Sequence, residues 1–144
     1  MTRTQRLRPV VRHNDNKEKA ALQEVARSQG VLHIEQGRLT QLQDYRLEYL
    51  QQKKFDIGVF TPVELQEFNR FMQQLDQTIA RQSELVEIRQ RELEQKRALW
   101  QASRVDARKM HKVVEKLRRQ ELTEQERREQ KALDEFSQRK ITRT

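Results

Sequence analysis

The sequence predicts an all-α protein, a long antiparallel two-helix coiled-coil hairpin with the second helix overhanging the first. Three observations carry this. Only 34% of the 144 residues are apolar, where globular chains run to about 45–50%, so a single large buried core is excluded. The 3 Gly and 2 Pro fall far below the roughly ten and seven of average usage at this length, so few positions interrupt a helix. Finally, 36% of the residues are charged, with 30 basic and 22 acidic side chains interleaved among Gln and Leu, and the mean hydropathy is -1.09. Disorder goes with unbalanced charge and no periodicity, whereas this mixture is that of a long helix.

Taken in order, residues 1–144 read as one coiled-coil hairpin, with a first helix over about residues 9–54, a turn over 55–61 and a second helix over about 62–140. Pro9 is read as marking or kinking the start of the first helix. In it Ala21, Val25, Ser28, Leu32, Glu35, Leu39, Leu42, Arg46 and Tyr49 follow alternating steps of three and four, the seam of a left-handed coiled coil. Gly30 and Gly37 lie inside this arm at about 1 kcal/mol each relative to Ala. The turn falls at Phe55-Asp56-Ile57-Gly58-Val59-Phe60, where Gly58 can take a positive φ. Thr61-Pro62-Val63-Glu64 then reads as a helix start, with Thr61 as N-cap and Pro62 in the first turn.

The second helix continues the same spacing through Leu65, Phe68, Met72, Leu75, Ile79, Gln82, Val86, Arg89, Leu93, Lys96, Trp100, Ser103, Ala107, Met110, Val114 and Leu117. With the bend near residue 60, facing residues have numbers summing to about 120, which sets Tyr45 against Leu75, Tyr49 against Phe71, Leu32 against Ile88 and Leu7 against Val113. At about 1.5 Å per residue the shared length is roughly 75–80 Å, and the overhang past Leu117 adds about 30 Å. Glu115 with Arg119, Glu124 with Arg128 and Glu135 with Arg139 are spaced i,i+4 for local support. Leu122, Leu133 and Phe136 have no cover within the chain.

The absence of Cys removes disulfides, thiolate metal sites and a cysteine nucleophile, and fits a reducing cytoplasm. No apolar run reaches the roughly 18 residues of a membrane span, and the basic N-terminal stretch has no hydrophobic signal core behind it. A two-helix rod has no concave, water-excluding chamber for catalysis. The sequence is therefore read as non-enzymatic, without cofactor, metal site or small-molecule substrate. His13, His33 and His111 are scattered, and His111 with Glu115 at i,i+4 reads as an exposed pair.

What remains is binding surface. The net charge of +8 and pI near 10.1 call for an acidic partner. Arg104, Arg108, Lys109, Lys112, Lys116, Arg118 and Arg119 stand against only Asp106 and Glu115, and the sum rule brings Arg3, Arg6, Arg8 and Arg12 near them. An acidic protein surface is the favoured neighbour, ahead of a merely solvated face. Nucleic acid comes last, because base-stacking aromatics and a docking module are missing. Near the turn, Leu42, Tyr45, Tyr49, Phe68, Phe71 and Leu75 exceed what one narrow seam hides, so the cluster admits both a closing role in the hairpin and a docking role.

Leu42-Gln43-Asp44-Tyr45-Arg46-Leu47-Glu48-Tyr49, the Gly58 turn, Phe68 through Ile79, Trp100 and Glu129 through Phe136 resemble, in order and spacing, the FliJ family of flagellar type III export stalk and chaperone-escort proteins. The Asp44-Tyr45-x-x-Glu48-Tyr49 and Gln130-Lys131-x-x-Asp134-Glu135-Phe136 segments are not by-products of a heptad. The resemblance implies a cytoplasmic component, peripheral at the inner membrane, that engages a hexameric export ATPase ring and an export-gate membrane protein and escorts export chaperones. It implies an export-gate surface on Leu42, Tyr45, Tyr49, Phe71 and Leu75. The ring-facing set, reached from charge and from uncovered apolar residues, is Arg8, Arg12, Arg108, Lys112, Lys116, Leu122, Leu133 and Phe136. Thr78 and Gln82 depart from the family pattern by continuing the Phe71 face with polar groups. Three other readings are open: a virulence-type secretion stalk sharing the hairpin, a basic coiled-coil nucleic-acid binder and a passive spacer.

Overall fold

The computed structural model describes residues 2–54 and 57–142. The chain is an all-α hairpin of two long helices: α1 spans Arg3–Lys54 and α2 spans Pro62–Thr142, with a single 3-10 turn over Ile57–Val59 between them. There is no strand among the described residues. Contacts divide the chain into two units, a first of Met1–Ala20 with Trp100–Thr144 and a second of Ala21–Leu99. In each, a segment of α1 runs antiparallel to a segment of α2.

The start of α1 lies well ahead of residue 9, and Pro9 sits inside the helix. A prolyl residue there removes one backbone N–H and crowds the preceding turn, so something upstream must hold the helix. Thr2 and Gln5 do. The Gln5 N–H donates to Thr2 Oγ1 at 3.2 Å and the Thr2 N–H to Gln5 Oε1 at 3.3 Å, a reciprocal capping box. The helix start is thus written in Thr2-Arg3-Thr4-Gln5, and Pro9 is an interruption the helix tolerates.

Thr61 caps α2, its Oγ1 accepting the Glu64 N–H at 3.2 Å and its carbonyl the Leu65 N–H at 3.0 Å. Gly58 does not use the positive φ open to it, since no residue described has one. A right-handed 3-10 turn needs only ordinary negative φ, and a Cβ built on Gly58 meets nothing within 4 Å. The reversal therefore does not depend on glycine.

In the second unit the seam follows the expected spacing. Val25, Leu32, Met72, Leu75 and Leu93 are buried, and Leu39, Leu42, Tyr49, Phe68, Ile79 and Val86 are half-buried. Two expectations change. Leu65 is exposed, because α1 ends at Lys54 and offers it no facing turn. Ile88 does not face Leu32 and is exposed too; it stands two residues, about 200° of helix, past the seam position Val86.

In the first unit Ser103 and Ala107 are the buried positions of α2, flanked by half-buried Trp100, Met110, Val114 and Leu117. Here the partners differ from the sum rule. His111 Nε2 lies 2.9 Å from Asp15 Oδ1, and Thr4 Oγ1 donates to Glu121 Oε2 at 2.9 Å. Facing numbers total about 125 instead of about 120, so Leu7 does not face Val113. In this unit two polar pairs mark the alignment. Intrachain cover consequently reaches Glu121, not Leu117, and every described residue from Leu122 onward is exposed.

Candidate partner-binding surfaces

The aromatic cluster of the second unit is built from both helices and the turn. Tyr45 and Tyr49, one helical turn apart on α1, stack with ring centroids 6.3 Å apart. From α2, Phe71 approaches Tyr49 at 4.6 Å and Tyr45 at 6.4 Å, while Phe68 stacks on Tyr49 at 5.7 Å. Phe60 extends the row by meeting Phe68 at 5.9 Å. Lys53 Nζ stands 5.9 Å from the Tyr49 and Phe60 rings. Aromatic pairs contribute about 0.5–1.5 kcal/mol each beyond area burial, so the cluster clamps the two helices beside the turn.

The five expected gate-facing residues do not share one environment. Tyr45 is 49% exposed, Leu75 only 8%, and Leu42, Tyr49 and Phe71 lie between. Leu75 belongs to the seam, and Tyr45 is what the cluster presents to solvent. Arg46 Nε donates to Asp76 Oδ1 at 2.6 Å at its edge. Sequence reading missed Phe60 and Lys53 as members. Lys53 was legible as the residue one turn after Tyr49, whereas Phe60 carries no periodic signal because it lies in the connection.

The second surface belongs to the first unit. Arg8, Arg12, Arg108, Lys112 and Lys116 are all exposed, and none has a carboxylate within 4.0 Å among the described residues. Arg108, Lys112 and Lys116 recur every four residues on the side of α2 away from Ala107, Met110 and Val114. Of the expected local pairs, Arg119 Nη2 reaches Glu115 Oε1 at 2.6 Å. Glu124 with Arg128 and Glu135 with Arg139 do not pair within 4.0 Å among the described residues; farther along, the i,i+4 pairs of side chains are Gln125 with Glu129 and Gln130 with Asp134, each 3.3 Å.

Leu122, Leu133, Phe136 and Ile141 are 57%, 62%, 66% and 73% exposed. Of these, Leu122, Leu133 and Phe136 fall on one side of the helix. The Thr4 N–H donates to Glu121 Oε1 at 3.2 Å, placing a carboxylate on the positive end of α1. Beside it an open groove is lined by Thr2, Arg3, Leu117, Glu121, Leu122 and Arg128. No described helix is long and apolar enough to cross a membrane.

Two long helices packed against each other define an all-α coiled-coil hairpin protein. Residues 3–144 match the family model described as the flagellar FliJ protein, and the chain belongs to the FliJ family. That family is a non-catalytic component of flagellar protein export, so the chain has an export-related role. No curated protein and no solved structure matches it.

Proposed function

We propose that the protein is the coiled-coil stalk of the flagellar type III export apparatus, acting on the cytoplasmic side of the inner membrane. In this reading the aromatic cluster docks on the export-gate membrane protein and the cationic first unit engages the hexameric export ATPase ring. Export chaperones are a third class of partner. The observation that carries the reading is the five-ring cluster in a member of this family, with Tyr45 held half in solvent by rings from both helices. A tyrosine pre-ordered in this way loses little rotamer freedom on docking and offers both apolar area and a hydroxyl.

The test is titration of purified gate cytoplasmic domain with the full chain and with Tyr45→Ala. Tyr45 leaves the seam intact when truncated, whereas Leu75→Ala opens a cavity in it. The expected result is at least tenfold weaker gate binding by Tyr45→Ala with helicity unchanged. Equal binding by both proteins removes the cluster from the interface.

A further inference from the structure

Among the described residues of the second unit, the seam contains one buried acid. Glu35 is 7% exposed in the middle of a row of apolar residues. Gln82, its counterpart on α2, donates from Nε2 to Glu35 Oε2 at 2.7 Å and also to the Glu35 backbone carbonyl at 2.9 Å. Arg38, one turn on, donates from Nη1 to Glu35 Oε1 at 2.8 Å. Both carboxylate oxygens are thus satisfied, one of them from across the seam. Leucine at both positions would bury more apolar area without desolvating a carboxylate, so the pair is not the most stabilising choice.

We propose that Glu35 and Gln82 are a register lock, whose role is to hold α1 and α2 in the one alignment that assembles the aromatic cluster. Apolar heptads alone do not distinguish an alignment from one shifted by seven residues, about 10.5 Å. Such a shift would carry Phe68 and Phe71 away from Tyr45 and Tyr49 by that distance. It would also part Glu35 from the amide that bonds both its carboxylate and its backbone carbonyl. Arg89, the α2 seam residue one heptad beyond Gln82, would take its place, with an Nη1 that donates to Glu92 at 2.9 and 3.0 Å and a buried Nε that has no hydrogen-bond partner among the described residues; beside Arg38 it would set a second guanidinium on a carboxylate that one already holds. Only the seven residues between Lys54 and Pro62 join the helices, so a slip can proceed only in the direction that lengthens the connection.

What the alignment is for rests on the gate-docking reading; the alignment itself does not. The chain has no cysteine, so engineered pairs report without background. Arg46→Cys with Asp76→Cys samples the observed alignment, and Arg46→Cys with Ser83→Cys samples the slipped one. Each pair is made in the otherwise native chain and in Glu35→Leu/Gln82→Leu, then treated with a short bismaleimide. The native background should cross-link 46 to 76 at least tenfold faster than 46 to 83. The double-leucine background should melt at least about 2 °C higher and cross-link the two pairs at rates within threefold.

Glu35→Gln, which keeps a hydrogen-bonding partner for Gln82, should retain the native ratio. If the double-leucine chain keeps that ratio, the rings set the register and the lock is overturned. If the ratio collapses while gate binding is unchanged, the lock stands and the docking reading fails.

Discussion

Replacing Gly30 and Gly37 with alanine tests whether α1 is a continuous helix through its middle. The two lie one heptad apart, both exposed, on the side of α1 away from Leu32, Glu35 and Leu39. A Cβ built on either meets no heavy atom within 4 Å. Alanine therefore adds no clash and removes no contact; it lowers only the backbone entropy lost when the helix forms. Each substitution should stabilise by about 1 kcal/mol, and the pair by about 2 kcal/mol because they share no neighbours. For a chain of this size that corresponds to roughly 4–8 °C in Tm. The assay is thermal melting at 222 nm of the native chain, both single variants and the double. A double variant that melts no higher than the native chain would refute the reasoning, since it would mean that α1 is not helical at these positions before it unfolds.

Four further outcomes follow from the same structure. Gln82→Ala strips Glu35 of two cross-helix hydrogen bonds and should cost about 2–3 kcal/mol in urea denaturation, whereas Asp76→Asn at the half-exposed Arg46 pair should cost under about 1 kcal/mol. Glu121→Gln keeps the Thr4 contact but removes the charge at the positive end of α1, so amide exchange over residues 3–8 should quicken several-fold, the protection lost being about 0.5–1 kcal/mol. Pro9→Ala restores an N–H inside α1 and should slow exchange in the same turns, by up to about 3 kcal/mol of local stability. Reversing Arg108, Lys112 and Lys116 to Glu should abolish stimulation of the ATPase ring while deletion of the turn leaves it; stimulation that survives the reversals at low salt would take the cationic row out of that interface.

The seam was legible in the sequence because it is a matter of period. From Met72 to Leu117, every position picked by alternating steps of three and four is buried or half-buried, including polar Gln82, Arg89, Lys96 and Ser103. The Thr61 cap was legible for a similar reason, since its side-chain chemistry is local. What escaped was of two kinds. Pro9 outweighed the Thr2-x-x-Gln5 box as a boundary signal, although a helix can run through a proline when its first turn is capped and its N–H groups find a carboxylate such as Glu121. That part of the ring cluster, Tyr45 and Phe71 among it, stays partly exposed followed from six large side chains on one narrow seam; how far the neighbouring rings cover each was hidden, because spacing says only which face a residue lies on. Tyr45 and Leu75 were placed together on one surface; the structure puts the first in solvent and the second in the seam.

Period without phase is the general difficulty with a coiled coil, and the two units meet it in different ways. The first unit has small Ser103 and Ala107 at its buried positions, which give little shape preference, and an exposed contact from Asp15 to His111 and a part-buried one from Thr4 to Glu121 mark its alignment. The second has large apolar residues that would pack in more than one alignment, and it carries a buried carboxylate held by an amide from across the seam. Exposed polar pairs contribute about 1 kcal/mol or less, while a buried carboxylate stripped of its donor costs several. Alignment errors are therefore penalised most steeply in the second unit, where a shift would take apart a surface made by side chains from both helices. The cationic row of the first unit lies along α2 alone from Arg108 to Lys116, and a change of register there would leave its spacing intact.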